Sequence, residues 1–169
     1  CSSDLYLEQP CATVAELAEL RGLIDVPIAA DESIRKADDP LLVVRSGGAD
    51  IAVLKAAPLG GISALLRIAE QIGVPVVVSS ALDSAVGIGV GLQAAAALPE
   101  LAHACGLGTG GLFVEDVTEP RVPEEGYLPV GPAVPDPVRL ATLRAPGPRR
   151  DWWLRRIVDC YPLLNQPMS

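Results

Sequence analysis

The chain has 169 residues, half of them hydrophobic but only 4% aromatic, which is enough apolar material for one domain-sized core built mainly from Ala, Val and Leu. Such a composition suits helices packed on buried strands better than a half-wet β sandwich, and points to the α/β class. A net charge of −8 argues against a nucleic-acid partner, because the basic cluster of Arg149, Arg150, Arg155 and Arg156 is diluted by Asp151 and Asp159.

The chain opens on Cys1 and reaches a strand-like segment, Leu5-Tyr6-Leu7, almost at once, a start expected of a cut through a larger protein. Thr13-Val14-Ala15-Glu16 then reads as a capping box, with Val14, Leu17, Ala18 and Leu20 as the buried stripe of the helix it begins. Val26 to Ala30 is a second strand, Asp39-Pro40 opens a short helix, and Asp50 to Leu54 is a third strand. Gly60-Gly61 precedes a helix from Ile62 to Ile72, which Gly73 ends as a left-handed cap. Val74 to Val78 reads as a strand buried on both faces. Helical character returns from Ala85 to Leu98-Pro99, and His103 to Leu107 is a fifth strand before a glycine-rich loop. The rhythm then stops. Pro120 to Pro148 is an irregular arm with one extended piece at Tyr127 to Val130. In Arg150 to Leu164, the i, i+4 spacing of Trp153, Ile157 and Tyr161 predicts a terminal helix docked on another surface.

Cys1, Cys11, Cys105 and Cys160 are scattered without a C-x-x-C pair, and His103 is the one histidine, so reduced thiols in the cytoplasm are expected rather than a zinc site or disulfide framework. The most apolar stretch, Val74 to Leu98, contains Asp83 and three serines, and no basic region opens the chain. Neither a membrane span nor a signal peptide is expected.

Parallel strands with crossover helices build an open doubly wound sheet or a closed eight-stranded barrel, and five units cannot close a barrel. The barrel is favoured by where polar residues fall. Glu8, Asp31 with Glu32, Lys55, and Ser79 with Ser80 stand at the C-terminal ends of successive strands, the catalytic face of barrel enzymes. Glu8 and Asp31 are candidates to share a hard cation such as Mg²⁺, although either could be a helix cap or a solvated loop charge. Lys55 ends the apolar run Ile51-Ala52-Val53-Leu54, where an ammonium needs an anionic partner or a catalytic task, the plainer alternative being a snorkelling lysine. Two carboxylates and a lysine across a barrel mouth suit removal of a proton next to a substrate carboxylate. Two glycine patterns could suggest a dinucleotide site instead. Gly87-x-Gly89-x-Gly91 lacks the fingerprint spacing, and Gly106-x-Gly108-x-x-Gly111 runs into Leu112-Phe113-Val114 rather than a convincing helix.

Leu7-Glu8-Gln9-Pro10, Ala30-Asp31-Glu32-Ser33, and Lys55 with Pro58-Leu59-Gly60-Gly61 resemble, in order and spacing, the fourth, fifth and sixth barrel strands of the muconate-lactonizing subgroup of the enolase superfamily. Within it, Val76 to Ser84 and Ala104 to Thr109 look like the seventh and eighth strands of actinobacterial o-succinylbenzoate synthases. The resemblance implies the C-terminal part of a (β/α)7β barrel over residues 1–118, a proline-rich arm at 119–149 returning toward a capping domain, and a C-terminal helix and tail at 150–169. It implies that Glu8 and Asp31 are Mg²⁺ ligands, Lys55 a catalytic lysine on one face of the substrate, Ser79 and Ser80 substrate contacts, and Glu32 a partner beside the ligands. The implied reaction is the syn dehydration of 2-succinyl-6-hydroxy-2,4-cyclohexadiene-1-carboxylate, a small carboxylate, to 2-succinylbenzoate in menaquinone biosynthesis. The pattern's Lys-x-Lys and first metal carboxylate would precede residue 1, so the implied partner is an N-terminal half of the same protein. Without it, the chain is expected to be inactive and prone to associate through open barrel edges. An N-acylamino acid racemase or dipeptide epimerase of the same subgroup, or an inactive fragment, are the alternatives.

Overall fold

The computed structural model describes residues 5–34 and 39–165, so the expectations attached to Cys1 lie outside the described residues. The chain falls into two compact units, Cys1–Val134 and Pro135–Ser169. In the first, β1 (Leu7–Glu8), β2 (Ile28–Ala30), β3 (Ile51–Leu54) and β4 (Val76–Val78) form one parallel sheet in chain order. Leu7 pairs with Ile28, Ala29 with Ile51, and Ala52 with Val76. The crossovers are helical: α1 (Val14–Arg21) follows β1, α2 (Asp39–Arg45) follows β2, α3 (Ala56–Leu59) and α4 (Ile62–Ile72) follow β3, and α5 (Ala85–Ala97) follows β4.

Local chemistry accounts for the helix limits. The Thr13 hydroxyl accepts the Glu16 N–H at 3.3 Å and Glu16 Oε2 accepts the Thr13 N–H at 2.9 Å, so the expected capping box starts α1. Gly73, at φ 72°, ends α4 in the left-handed conformation. Leu65, Ile68 and Ile72 of α4 are buried at helical spacing.

Side chains alternate along the strands and supply two cores. Ile28, Ala30, Ala52, Leu54, Val76 and Val78 pack against helix residues that include Leu17, Leu65, Ile88 and Leu92. On the other face Ala29, Ile51, Val53 and Val77 cluster with Tyr6, whose ring meets His103 edge-on at 5.3 Å. β2, β3 and β4 are therefore buried on both faces, as continuous apolar runs in a parallel sheet require. At the N-terminal edge of the sheet, Asp50 joins Arg21 at 2.6 Å and accepts the Ile28 N–H at 3.0 Å, tying α1, β2 and β3 together.

Several expectations change in detail. The fifth strand contracts to a single parallel bridge between Ser79 and Gly106: Gly106 N–H reaches Val78 O at 2.9 Å and Ser80 N–H reaches Gly106 O at 3.1 Å. The ladder goes no further because the chain turns into a 3-10 helix at Thr109–Leu112, so the second glycine pattern lies on a bridge and a tight turn rather than a strand-to-helix loop. The first lies inside α5, where a Cβ on Gly89 would fall 3.3 Å from Ala133 Cβ and one on Gly91 would fall 2.6 Å from Leu107 Cδ2. These glycines let neighbouring segments approach a helix that is covered on several sides. The extended piece of the arm reduces to a bridge between Glu124 and Tyr127 across a turn with Glu125 and Gly126 at positive φ.

The second unit contains a short helix not expected from the sequence, α6 (Pro137–Thr142), capped by Asp136, which accepts the Val138 and Arg139 N–H groups at 2.8 and 2.9 Å. The terminal helix, α7 (Gly147–Cys160), starts earlier than expected because Pro148 is accommodated in its first turn. Trp153, Ile157 and Tyr161, the stripe expected to dock, are 50%, 61% and 65% exposed. Among the described residues no helix is long and apolar enough to cross a membrane.

Two substitutions separate local from tertiary stabilisation. Thr13→Ala, which removes the cap of α1, should cost about 1 kcal/mol, and Leu65→Ala, which empties a fully buried position, about 2–5 kcal/mol, both read from urea unfolding. The Thr13 contacts hold the Glu16 carboxyl below its ordinary value. The stabilisation from the box should therefore be complete above that ordinary value and be lost as pH falls through the lowered one, an acid limb that Glu16→Gln should lack.

Candidate active site at the strand ends

β2 and β3 run through the core and each ends on a charge. Asp31 follows Ala30 and Lys55 follows Leu54, and both residues are only 7% exposed. Parallel pairing of Ala30 with Ala52 brings the two strand ends to the same edge of the sheet. There the Lys55 ammonium donates to Asp31 Oδ1 in a short, buried ion pair. Desolvation favours the neutral form and pushes the Lys55 ammonium below the ordinary lysine value, while the charges of Glu8 and Asp83 pull it back up. Contact with Asp31 further favours the charged form. Beyond Lys55, α3 makes one turn and the chain reverses at Gly60 and Gly61, with φ of 95° and 104°; a Cβ would strain both positions.

Glu8 ends β1 and is exposed, within electrostatic reach of Lys55. Glu32 is exposed beside Asp31. Ser79 and Ser80 follow β4, and their hydroxyls turn toward the neighbouring chain segment. Ser79 Oγ donates to Gly106 O at 3.3 Å, and Ser80 Oγ donates to Gly106 O at 3.2 Å and shares a 2.6 Å hydrogen bond with Thr109 Oγ1. The structure thus joins Asp31 to Lys55, sets Glu8 near them, and gives both serine hydroxyls partners within the chain.

Three further residues shape this edge. Gln9, with φ 41°, links the loops after β1 and β2 through its side-chain amide. Asp83 accepts the Ala81 N–H at 3.1 Å in a loop where Leu82 has φ 59°. Asp116, 7% exposed, accepts the Ala85 N–H at 2.7 Å and so caps α5 from a distant segment. Gln9 stands within Leu7-Glu8-Gln9-Pro10 and the two acids stand in loops, but nothing local in the sequence marks their partners.

As a metal centre the edge is partial. Glu8 and Asp31 offer the oxygen donors that a hard divalent cation takes, and Asp31 spends one of its oxygens on Lys55. Among the described residues, no group of three His, Cys, Asp or Glu side chains could hold a metal ion. The two carboxylates fit the chemistry of a Mg²⁺ site as part of its ligand set.

Comparison with known proteins follows the same lines. A family described as enolase C-terminal domain-like matches residues 4–136. The chain is 72% identical to an o-succinylbenzoate synthase of Mycolicibacterium smegmatis over 94% of its own length and 50% of that protein. It is 74% identical to an o-succinylbenzoate synthase of Mycobacterium tuberculosis over 94% of its length and 49% of that protein. The chain thus spans about half the length of the curated relatives it matches. Among solved structures, a muconate lactonizing enzyme from Pseudomonas fluorescens complexed with muconolactone superposes with a TM-score of 0.74 at 32% identity, over 82% of this chain and 40% of that one.

The buried pair has a measurable signature. Lys55→Met strands the Asp31 carboxylate and should cost about 3–5 kcal/mol, whereas adding Asp31→Asn should recover much of that loss. Additive losses in urea unfolding of the two single variants and the double variant would show that the pair is not coupled.

Proposed function

This chain belongs to the enolase C-terminal domain-like family, and on that premise we propose that it supplies two metal carboxylates and a catalytic lysine to an o-succinylbenzoate synthase. The observation that carries the proposal is the buried contact of Lys55 with Asp31 at the ends of two adjacent parallel strands. The likeness to o-succinylbenzoate synthases supports the reaction proposed, syn dehydration of 2-succinyl-6-hydroxy-2,4-cyclohexadiene-1-carboxylate to 2-succinylbenzoate.

In this proposal Glu8 and Asp31 hold a divalent cation, Mg²⁺ by preference, and Glu32 supports them from outside. When bound, the cation supplies Lewis acidity to the substrate carboxylate. Lys55 is the catalytic residue of this chain: its ammonium faces the ring and stabilises the negative charge that develops as the proton next to the carboxylate is removed. The electron pair of that C–H bond forms the ring double bond as the C–OH bond breaks, and proton and hydroxide leave as water. The base that takes the proton and returns it to the hydroxyl would be a lysine upstream of residue 1, together with a further carboxylate for the cation. Ser79, whose contacts with the chain are long, hydrogen-bonds the succinyl or carboxylate group, and Ser80 adds to that contact while bracing Gly106 and Thr109. We place its action in the cytoplasm, the compartment that the scattered cysteines of the sequence suit.

In the complete enzyme, Lys55→Met should lower kcat about a hundredfold or more while leaving Mg²⁺ binding in place. Glu8→Gln and Asp31→Asn should each weaken Mg²⁺ binding and turnover together. Wild-type kcat in Lys55→Met would remove the catalytic role, and unchanged Mg²⁺ titrations in both amide variants would remove the ligand roles.

A further inference from the structure

The rung between β1 and β2 beyond Glu8 is made in an unusual way. In a parallel ladder a residue donates to the residue before its partner and accepts from the residue after it. Gln9 keeps the first bond, with its N–H on Ala29 O at 2.8 Å. The second would bring the Asp31 N–H to the backbone carbonyl of Gln9, but at φ 41° the main chain has already turned away. The Asp31 N–H goes instead to the Gln9 side chain, with Oε1 at 3.0 Å. The same Oε1 accepts the Ser33 N–H at 3.2 Å, while Nε2 donates to Ser33 Oγ at 2.8 Å and Cys11 O at 3.0 Å. All four hydrogen bonds available to a primary amide are used. Glutamate would lack the two donors, asparagine falls one methylene short, and residues other than glycine seldom hold this backbone conformation without such support.

We propose that Gln9 is the positioning residue that fixes the separation of the carboxylates of Glu8 and Asp31, its side chain replacing the backbone rung that its own turn removes. The inference rests on the proposed metal role of those two carboxylates. Gln9 is adjacent to Glu8 in the chain and holds the main chain of Asp31 directly, so loss of the amide frees one carboxylate to drift from the other without removing either.

The test compares wild type, Gln9→Met and Asp31→Asn in the complete enzyme, with Mn²⁺ affinity from the electron paramagnetic resonance of free Mn²⁺ and amide hydrogen exchange at Asp31 and Ser33. Gln9→Met should weaken Mn²⁺ binding about tenfold to a hundredfold, speed exchange of both amides, and retain most of kcat once Mn²⁺ is saturating. Gln9→Asn, which tolerates left-handed backbone but cannot reach, should do the same and decides the matter if Gln9→Met does not fold. Wild-type Mn²⁺ affinity in a folded Gln9 variant, with Asp31→Asn defective, overturns the positioning role and leaves the metal site standing. Wild-type affinity in Asp31→Asn, or no Mn²⁺ binding by the wild type, overturns the metal proposal and this inference with it.

Discussion

A strand covered on both faces can carry no charge along its length, because removing an unpaired charge from water costs far more than a packing contact returns. β2 and β3 meet that constraint with wholly buried apolar runs, and each places its first charge on the residue after the last rung. Because the ladder is parallel, every such residue arrives at one edge of the sheet. The meeting of Asp31 and Lys55 there follows from how the core is built, and Glu8, at the end of the exposed β1, lies at the same edge. Asp50, at the opposite edge, pairs in the open with Arg21 and joins elements together, a structural use of the same residue type.

Two charges held this far from water constrain each other. Lys55 and Asp31 satisfy one another, and the more distant Glu8 and Asp83 offset part of the desolvation that works against the ammonium. A buried pair of this kind adds little net stability over an apolar pair of the same volume, but breaking it is costly because one charge remains.

The edge is completed by bonds that span long stretches of chain. Ser79 and Ser80 reach Gly106, and Ser80 also reaches Thr109. A Cβ on Gly106 would stand 2.7 Å from Ser79 Oγ, so the close approach of these segments depends on the missing side chain. Asp116 reaches back to the first N–H of α5, and Gln9 joins the loops after β1 and β2. The loops at this edge are thereby held to one another as well as to the sheet.

Much of the fold was legible because its signals are local. The Thr13 to Glu16 box, the stop at Gly73 and the limits of α4 depend on residues within a few positions of one another, and the sequence placed them correctly. Apolar runs located the strands, and the charge that ends the third marked Lys55 as a residue needing an anionic partner or a catalytic task. Tertiary structure decided the partners. Nothing near Lys55 in sequence names Asp31, 24 residues away, and nothing near Gln9 shows that its amide will replace a backbone rung. The helix over the α5 glycines was legible, but the close approach of Ala133 to Gly89 and of Leu107 to Gly91 was not. The segment at 103–107 had the composition of a strand, but the ladder stopped after Gly106, where the chain turns away. Capping and periodicity are set by neighbours in the chain, whereas ion pairs, rungs and close approaches are set by which distant segments the packed sheet brings together.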